Sequence, residues 1–90
     1  MSVAEATVEI KNRLGLHLRA AAALAETVNR FKAKVTLTRG KEQVNARSVT
    51  SLMMLGAGLG TRLKLHAEGD DAREAVAAVK QLFEARFGED

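Results

Sequence analysis

Ninety residues make one small domain, which at this length buries roughly 60–65% of the surface its unfolded chain exposes, enough for a single modest core. Apolar residues make up 47% but aromatics only 3%, so the core must come from Leu, Val, Ile, Met and Ala, while zero cysteines exclude disulfides and thiolate metal sites. The 14 basic and 11 acidic side chains give a net charge of +3 but are interspersed and form no block, so a nucleic-acid partner is not indicated.

The chain is punctuated by glycine alone, since proline is absent. Residues 7–11, TVEIK, put Val8 and Ile10 on one face at the period of a half-buried strand. Residues 18–31 space Ala20, Leu24, Val28 and Phe31 as one face of a helix. KVTLT at 34–38 alternates again with Val35 and Leu37 inward, Arg39-Gly40-Lys41 turns the chain, and EQVN at 42–45 returns as a partner strand. SVTSLMML at 48–55 reads as a short helix begun by Ser48. Gly56, Gly58 and Gly60 form a flexible connection: their spacing misses the dinucleotide fingerprint, and they precede a strand rather than a helix. TRLKLHA at 61–67 is the clearest strand, with Leu63, Leu65 and Ala67 opposite Arg62, Lys64 and His66. Asp71 and Glu74 have capping-box spacing before a helix whose apolar stripe runs through Ala72, Ala75, Val76, Val79, Leu82 and Phe83 to Phe87.

The order β-α-β-β-α-β-α, with every strand alternating, predicts an α+β domain: an antiparallel sheet with helices stacked on one face. Nothing is apolar for long enough to span a bilayer, and the first residues lack the basic-then-apolar layout of a signal peptide, so a cytoplasmic protein is the expectation.

One stretch stands out chemically: RLGLHLRAAAA, residues 13–23, opens an alanine-rich helix without Ser, Thr, Asp or Asn at its first position. Orphan backbone N–H groups at such a position, with the positive end of the helix dipole, suit an anion and phosphate in particular. Arg19 adds a guanidinium able to grip two phosphoryl oxygens, and His17 supplies a ring nitrogen able to carry the group covalently. A lone histidine is ordinarily an inert surface residue; the local setting argues otherwise here.

These residues resemble the HPr family, the histidine-containing phosphocarriers of the bacterial phosphotransferase system. The resemblance spans essentially the whole chain and is carried by Gly15-x-His17-x-Arg19 and by Asn45-Ala46-Arg47-Ser48. It implies an open-faced sandwich of four antiparallel strands and three helices. It implies that His17 takes a phosphoryl group on Nδ1 from enzyme I and passes it to an enzyme IIA, with Arg19 stabilising the phosphate. The route would be sugar transport or, alternatively, the nitrogen-related regulatory branch. Ser48 matches the serine that HPr kinase phosphorylates where that regulation exists; as a residue on its own it reads as the cap of the short helix. In the family, position 20 is usually proline, which presets φ and carries no N–H; Ala20 here keeps the helix and adds a donor.

A helix as short as 48–55 cannot bury Val49, Leu52, Met53, Met54 and Leu55 together. Some must be exposed, and with Leu18 they make a docking patch, as the resemblance implies for partner proteins. Basic residues that some relatives carry on the outer face of the first helix are Glu26 and Asn29 here. No cofactor, metal, nucleic acid or membrane insertion is expected, and the domain is expected to act as a monomer. Two other classes fit worse. An acylphosphatase-like enzyme needs a convergent arginine and asparagine that no spacing suggests, and an RNA-binding sheet needs stacking aromatics that the strands lack.

Overall fold

The computed structural model describes residues 2–89. Four strands, β1 (Ser2–Glu9), β2 (Lys34–Arg39), β3 (Glu42–Asn45) and β4 (Arg62–Gly69), form one sheet in the order β1-β4-β2-β3. All three pairings are antiparallel. Helices α1 (Leu18–Val28), α2 (Val49–Met54) and α3 (Ala72–Glu84) complete the expected open-faced sandwich, and a 3-10 turn (Arg86–Gly88) follows α3.

Register carries the alternation into the core. Val8 lies opposite Leu63, Leu65 lies between Ala6 and Leu37, and Ala67 between Ala4 and Val35, so one face presents an aliphatic surface. Leu24 and Val28 of α1 and Val79 and Phe83 of α3 are buried with it, as expected. Aliphatic burial on this scale is the main stabilising contribution available to a chain with only three phenylalanines.

The helices end where their chemistry dictates. Asn29 closes α1 with its N–H on Ala25 O, and the Arg47 guanidinium then gathers the chain beyond it, bonding Asn29 Oδ1 (2.8 Å), Phe31 O (2.6 Å) and Ala33 O (3.0 Å). Ser48 caps α2 as expected, its Oγ accepting the Ser51 N–H at 3.2 Å. At the far end of α2, Arg39 donates to the carbonyls of Leu55 and Gly56.

Two expectations are corrected. Asp71 precedes α3 but makes no side-chain cap; its carboxylate reaches across the fold and accepts the N–H groups of Lys32 (2.9 Å) and Ala33 (2.8 Å), which hold its pKa below the usual carboxylate range. Phe87 does not continue the α3 stripe. Arg86 and Phe87 take the left-handed conformation (φ 55 and 54), and the chain turns back after Ala85. Phe87 still meets the core, its ring standing edge-on to Phe83 at 4.9 Å.

Candidate functional site

The segment between β1 and α1 is strapped to the segment between α2 and β4. Ile10 N–H reaches Thr61 O, Gly60 N–H reaches Ile10 O, and Leu16 N–H reaches Ala57 O at 2.9 Å. Gly15 sits at φ +72 against Ala57, where a Cβ would lie 2.6 Å from the Ala57 carbonyl oxygen. Only glycine satisfies both the backbone angle and the approach. His17, two residues on, is thereby held at the head of α1.

The helix start proves to be capped, by His17 itself. His17 is the N-cap, with extended backbone, and its Nδ1 accepts the Arg19 N–H at 3.2 Å. The expectation of a start without a side-chain cap is corrected: an imidazole stands in for the usual hydroxyl or carboxylate. The first N–H to find a helical carbonyl is that of Ala21, on His17 O, so the N–H groups of Leu18 and Ala20 precede the helical ladder. Ala20 points inward and is buried, which suits its small side chain.

On its other side the ring meets a residue that sequence reasoning missed. His17 Nε2 lies 2.7 Å from Glu89 Oε1. Asn12 Nδ2 donates to the same oxygen at 2.9 Å, and Arg19 donates to Glu89 Oε2 at 3.1 Å. These contacts assign the tautomer: Nδ1 accepts from a backbone N–H and so carries the lone pair, while Nε2 carries the proton and donates to the carboxylate. The hydrogen bond from His17, then those from Asn12 and Arg19, bring the Glu89 pKa down to about 2. Glu89 is well shielded, with a side chain 16% exposed, whereas Arg19 at 75% is free to reach solvent.

Several large apolar side chains are exposed. Leu18 (61% exposed), Met53 (43%) and Met54 (68%) stand in solvent together with Leu14 and Leu59, while Leu52 and Leu55 take the inner face of α2. Val49 is half-buried against the core and contributes less to this surface than Leu18 and Met53. His66 lies on the opposite, open face of the sheet, between Glu5 (2.9 Å) and Glu68 (3.4 Å). Its pKa is raised, chiefly by the hydrogen bond to Glu5. Among the described residues no group of three or more His, Asp or Glu side chains is placed to hold a metal ion. No helix among them is long and apolar enough to cross a membrane.

Fold and site together define a small open-faced sandwich domain that displays a histidine at the N-terminus of α1, its ring oriented at both nitrogens. A family model described as "PTS HPr component phosphorylation site" matches residues 4–85, and the chain belongs to the PTS-HPr family. The phosphocarrier protein HPr of Xylella fastidiosa strain Temecula1 is 40% identical over 86 residues, 96% of this chain and 97% of its own. The phosphocarrier protein NPr of Shewanella violacea is likewise 40% identical, over 89 residues, covering 99% of this chain and 98% of its own. In three dimensions a crystal structure of HPr from Thermoanaerobacter tengcongensis superposes with a TM-score of 0.93 at 42% identity, covering 97% of this chain and 98% of that one.

Proposed function

We propose that this chain is a phosphoryl carrier of a phosphotransferase system whose acceptor atom is His17 Nδ1. The observation that carries this reading is the orientation of the ring: the lone pair sits on Nδ1, at the N-terminus of α1, with the exposed Arg19 side chain two residues on. In the transfer, the Nδ1 lone pair attacks the phosphorus of a phosphohistidine on enzyme I. The bond to the donor nitrogen breaks and its electron pair returns to the donor ring. The Arg19 N–H loses its acceptor as the P–N bond forms and turns to a phosphoryl oxygen, where the Arg19 side chain adds charge. Passage to an enzyme IIA is the same step with the roles exchanged. Such chemistry is mostly positioning and charge stabilisation, shared between the two proteins.

Leu18, Met53 and the exposed part of Val49 supply the docking surface for both partners in this reading. Ser48 Oγ, at the N-terminus of α2, is the position for regulatory phosphorylation by an HPr kinase; the added charge of roughly −2 alters the surface that partners meet. We assign the chain to the sugar-transport branch, in line with its similarity to phosphocarrier proteins named HPr. A second reading, the nitrogen-related regulatory branch, is favoured by the near end-to-end match to the Shewanella violacea NPr.

Incubation with enzyme I and labelled phosphoenolpyruvate tests the assignment. The label is expected on His17, stable to base and labile to acid, and lost in His17→Ala; labelling that persists in His17→Ala sinks it. Offering the phosphorylated chain to a sugar-type and a nitrogen-type enzyme IIA then separates the branches by which one removes the label.

A further inference from the structure

Glu89 lies 72 positions from His17 in the chain yet makes the ring's shortest contact. Its placement is built rather than incidental. Two consecutive left-handed residues, Arg86 and Phe87, turn the chain back after α3, and Phe87 anchors the turn on the buried Phe83. Residues other than glycine rarely adopt that conformation, and it persists where surrounding contacts impose it. At the receiving end stands Asn12, fully buried. Its Nδ2 bridges Gly15 O (2.7 Å) and Glu89 Oε1 (2.9 Å), while its own Oδ1 finds no partner. Through these two bonds Asn12 ties Glu89 to the loop that carries His17.

We propose that Glu89 is a positioning residue for phosphoryl transfer. The cluster of His17 Nε2, Asn12 Nδ2 and the Glu89 carboxylate keeps the proton on Nε2 and offsets the positive charge the ring acquires when Nδ1 takes the phosphoryl group. The inference rests on the reading of His17 as the acceptor. In the transfer the Nδ1 lone pair becomes the new P–N bond, the proton stays on Nε2, and the ring becomes an imidazolium facing a carboxylate at 2.7 Å. The same logic makes a buried carboxylate effective behind the histidine of hydrolytic triads, where it fixes the tautomer and stabilises the imidazolium without taking its proton. Arg19 serves both states, held by Glu89 Oε2 in the free protein and, because it is largely exposed, able to turn to the phosphoryl oxygens after transfer.

The test uses the full chain with Glu89→Gln and Glu89→Ala. First, 15N chemical shifts of the His17 ring are recorded on unphosphorylated protein at pH 9. The wild type and Glu89→Gln, which keeps an oxygen acceptor, are expected to hold the proton on Nε2; Glu89→Ala is expected to mix the tautomers. Second, single-turnover transfer from phospho-enzyme I is timed. Glu89→Gln is expected to slow it by about twofold to fivefold, the scale of a partly exposed charge contact. Transfer by Glu89→Gln at the wild-type rate or faster overturns the proposal, as does an unmixed tautomer in Glu89→Ala. Because the ring shifts are read without any phosphoryl donor, a wild type that takes no phosphoryl group from enzyme I refutes the acceptor reading separately.

Discussion

Replacing Gly15 by alanine tests whether the His17 loop is held by the close approach that its geometry shows. Two costs arise. An alanine at φ +72 occupies the left-handed region, at about 1 kcal/mol. The new Cβ would also lie 2.6 Å from Ala57 O and 2.8 Å from Gly58 Cα, both backbone atoms that no rotamer change can move aside. Relief requires the two loops to part, which strains the Leu16 N–H to Ala57 O bond and adds about 1–3 kcal/mol, the usual range for overpacking. The sum is about 2–4 kcal/mol. Gly40→Ala is the matched control: its φ is +59, but nothing lies within 4 Å of the added Cβ, so only the backbone cost of about 1 kcal/mol applies. Urea unfolding of both variants, followed by far-UV circular dichroism, measures the difference. If Gly15→Ala loses no more stability than Gly40→Ala, the two loops are not packed as described, and the rigidity ascribed to the His17 loop goes with them.

Arg47→Ala removes three hydrogen bonds around the end of α1 and is expected to cost about 1–2 kcal/mol in urea unfolding. Arg47→Lys is expected to recover only part of that, because an ammonium cannot reproduce the guanidinium fork. Leu37→Ala, in the fully buried centre of β2, is expected to cost about 2–5 kcal/mol by the same measurement. The raised pKa of His66 means its pairing with Glu5 stabilises the fold below the ordinary histidine range and fades as pH rises through the folded value. The stability gap between wild type and His66→Gln should therefore be larger at pH 6 than at pH 9. For Glu89 the sign is opposite: with a pKa of about 2, its contribution is present above the ordinary carboxylate range and lost as pH falls toward 2. A 13C carboxyl titration by NMR should show it still ionised at pH 4.

Local periodicity made most of the fold legible. Leu63, Leu65 and Ala67 alternate, and they are the residues that β4 buries; EQVN at 42–45 is β3, residue for residue. Ser48 could be read as a cap because a serine side chain bonds within its own first turn, three residues away. What escaped reading depends on contacts made at long range. Asp71 has capping-box spacing, yet its carboxylate is claimed by N–H groups 38 and 39 positions away, so local propensity loses to tertiary geometry. Phe87 continues the apolar spacing of α3, but two left-handed residues break the helix before that spacing can apply. At the candidate site, the place of His17 and Arg19 at the head of α1 was legible from the alanine run that follows, while the ring's own role as cap was not, since histidine is no usual N-cap residue. Glu89 offered no signal at all. Glutamate near the end of a charged segment is ordinary, and only the reversal after Ala85 sends it to the ring.

In the proposed reading, carrying a phosphoryl group between two proteins sets requirements that pull in opposite directions, and different atoms of the site meet them. The acceptor nitrogen must stand in the same place for donor and recipient, so the backbone around it is fixed by the Gly15–Ala57 approach and the Leu16 N–H bond. The ring is fixed in turn, with the Arg19 N–H on one nitrogen and Glu89 on the other. The charge on the transferred group must instead be met from either side as the partner changes, and that falls to Arg19, largely exposed and held only by an ionic contact at 3.1 Å. Such a contact at the surface is worth little, so releasing it costs little when a phosphoryl group or a partner competes for the guanidinium. The apolar side chains of α2 and of the head of α1 follow the same division. Leu52 and Leu55 lock α2 to the core, while Leu18, Met53 and Met54 stay in solvent with side chains that can adapt to more than one surface. A site closed over its histidine would hold a phosphoryl group more firmly and pass it on more slowly; in this reading the ring is bonded at both nitrogens while Arg19, Leu18, Met53 and Met54 stay exposed.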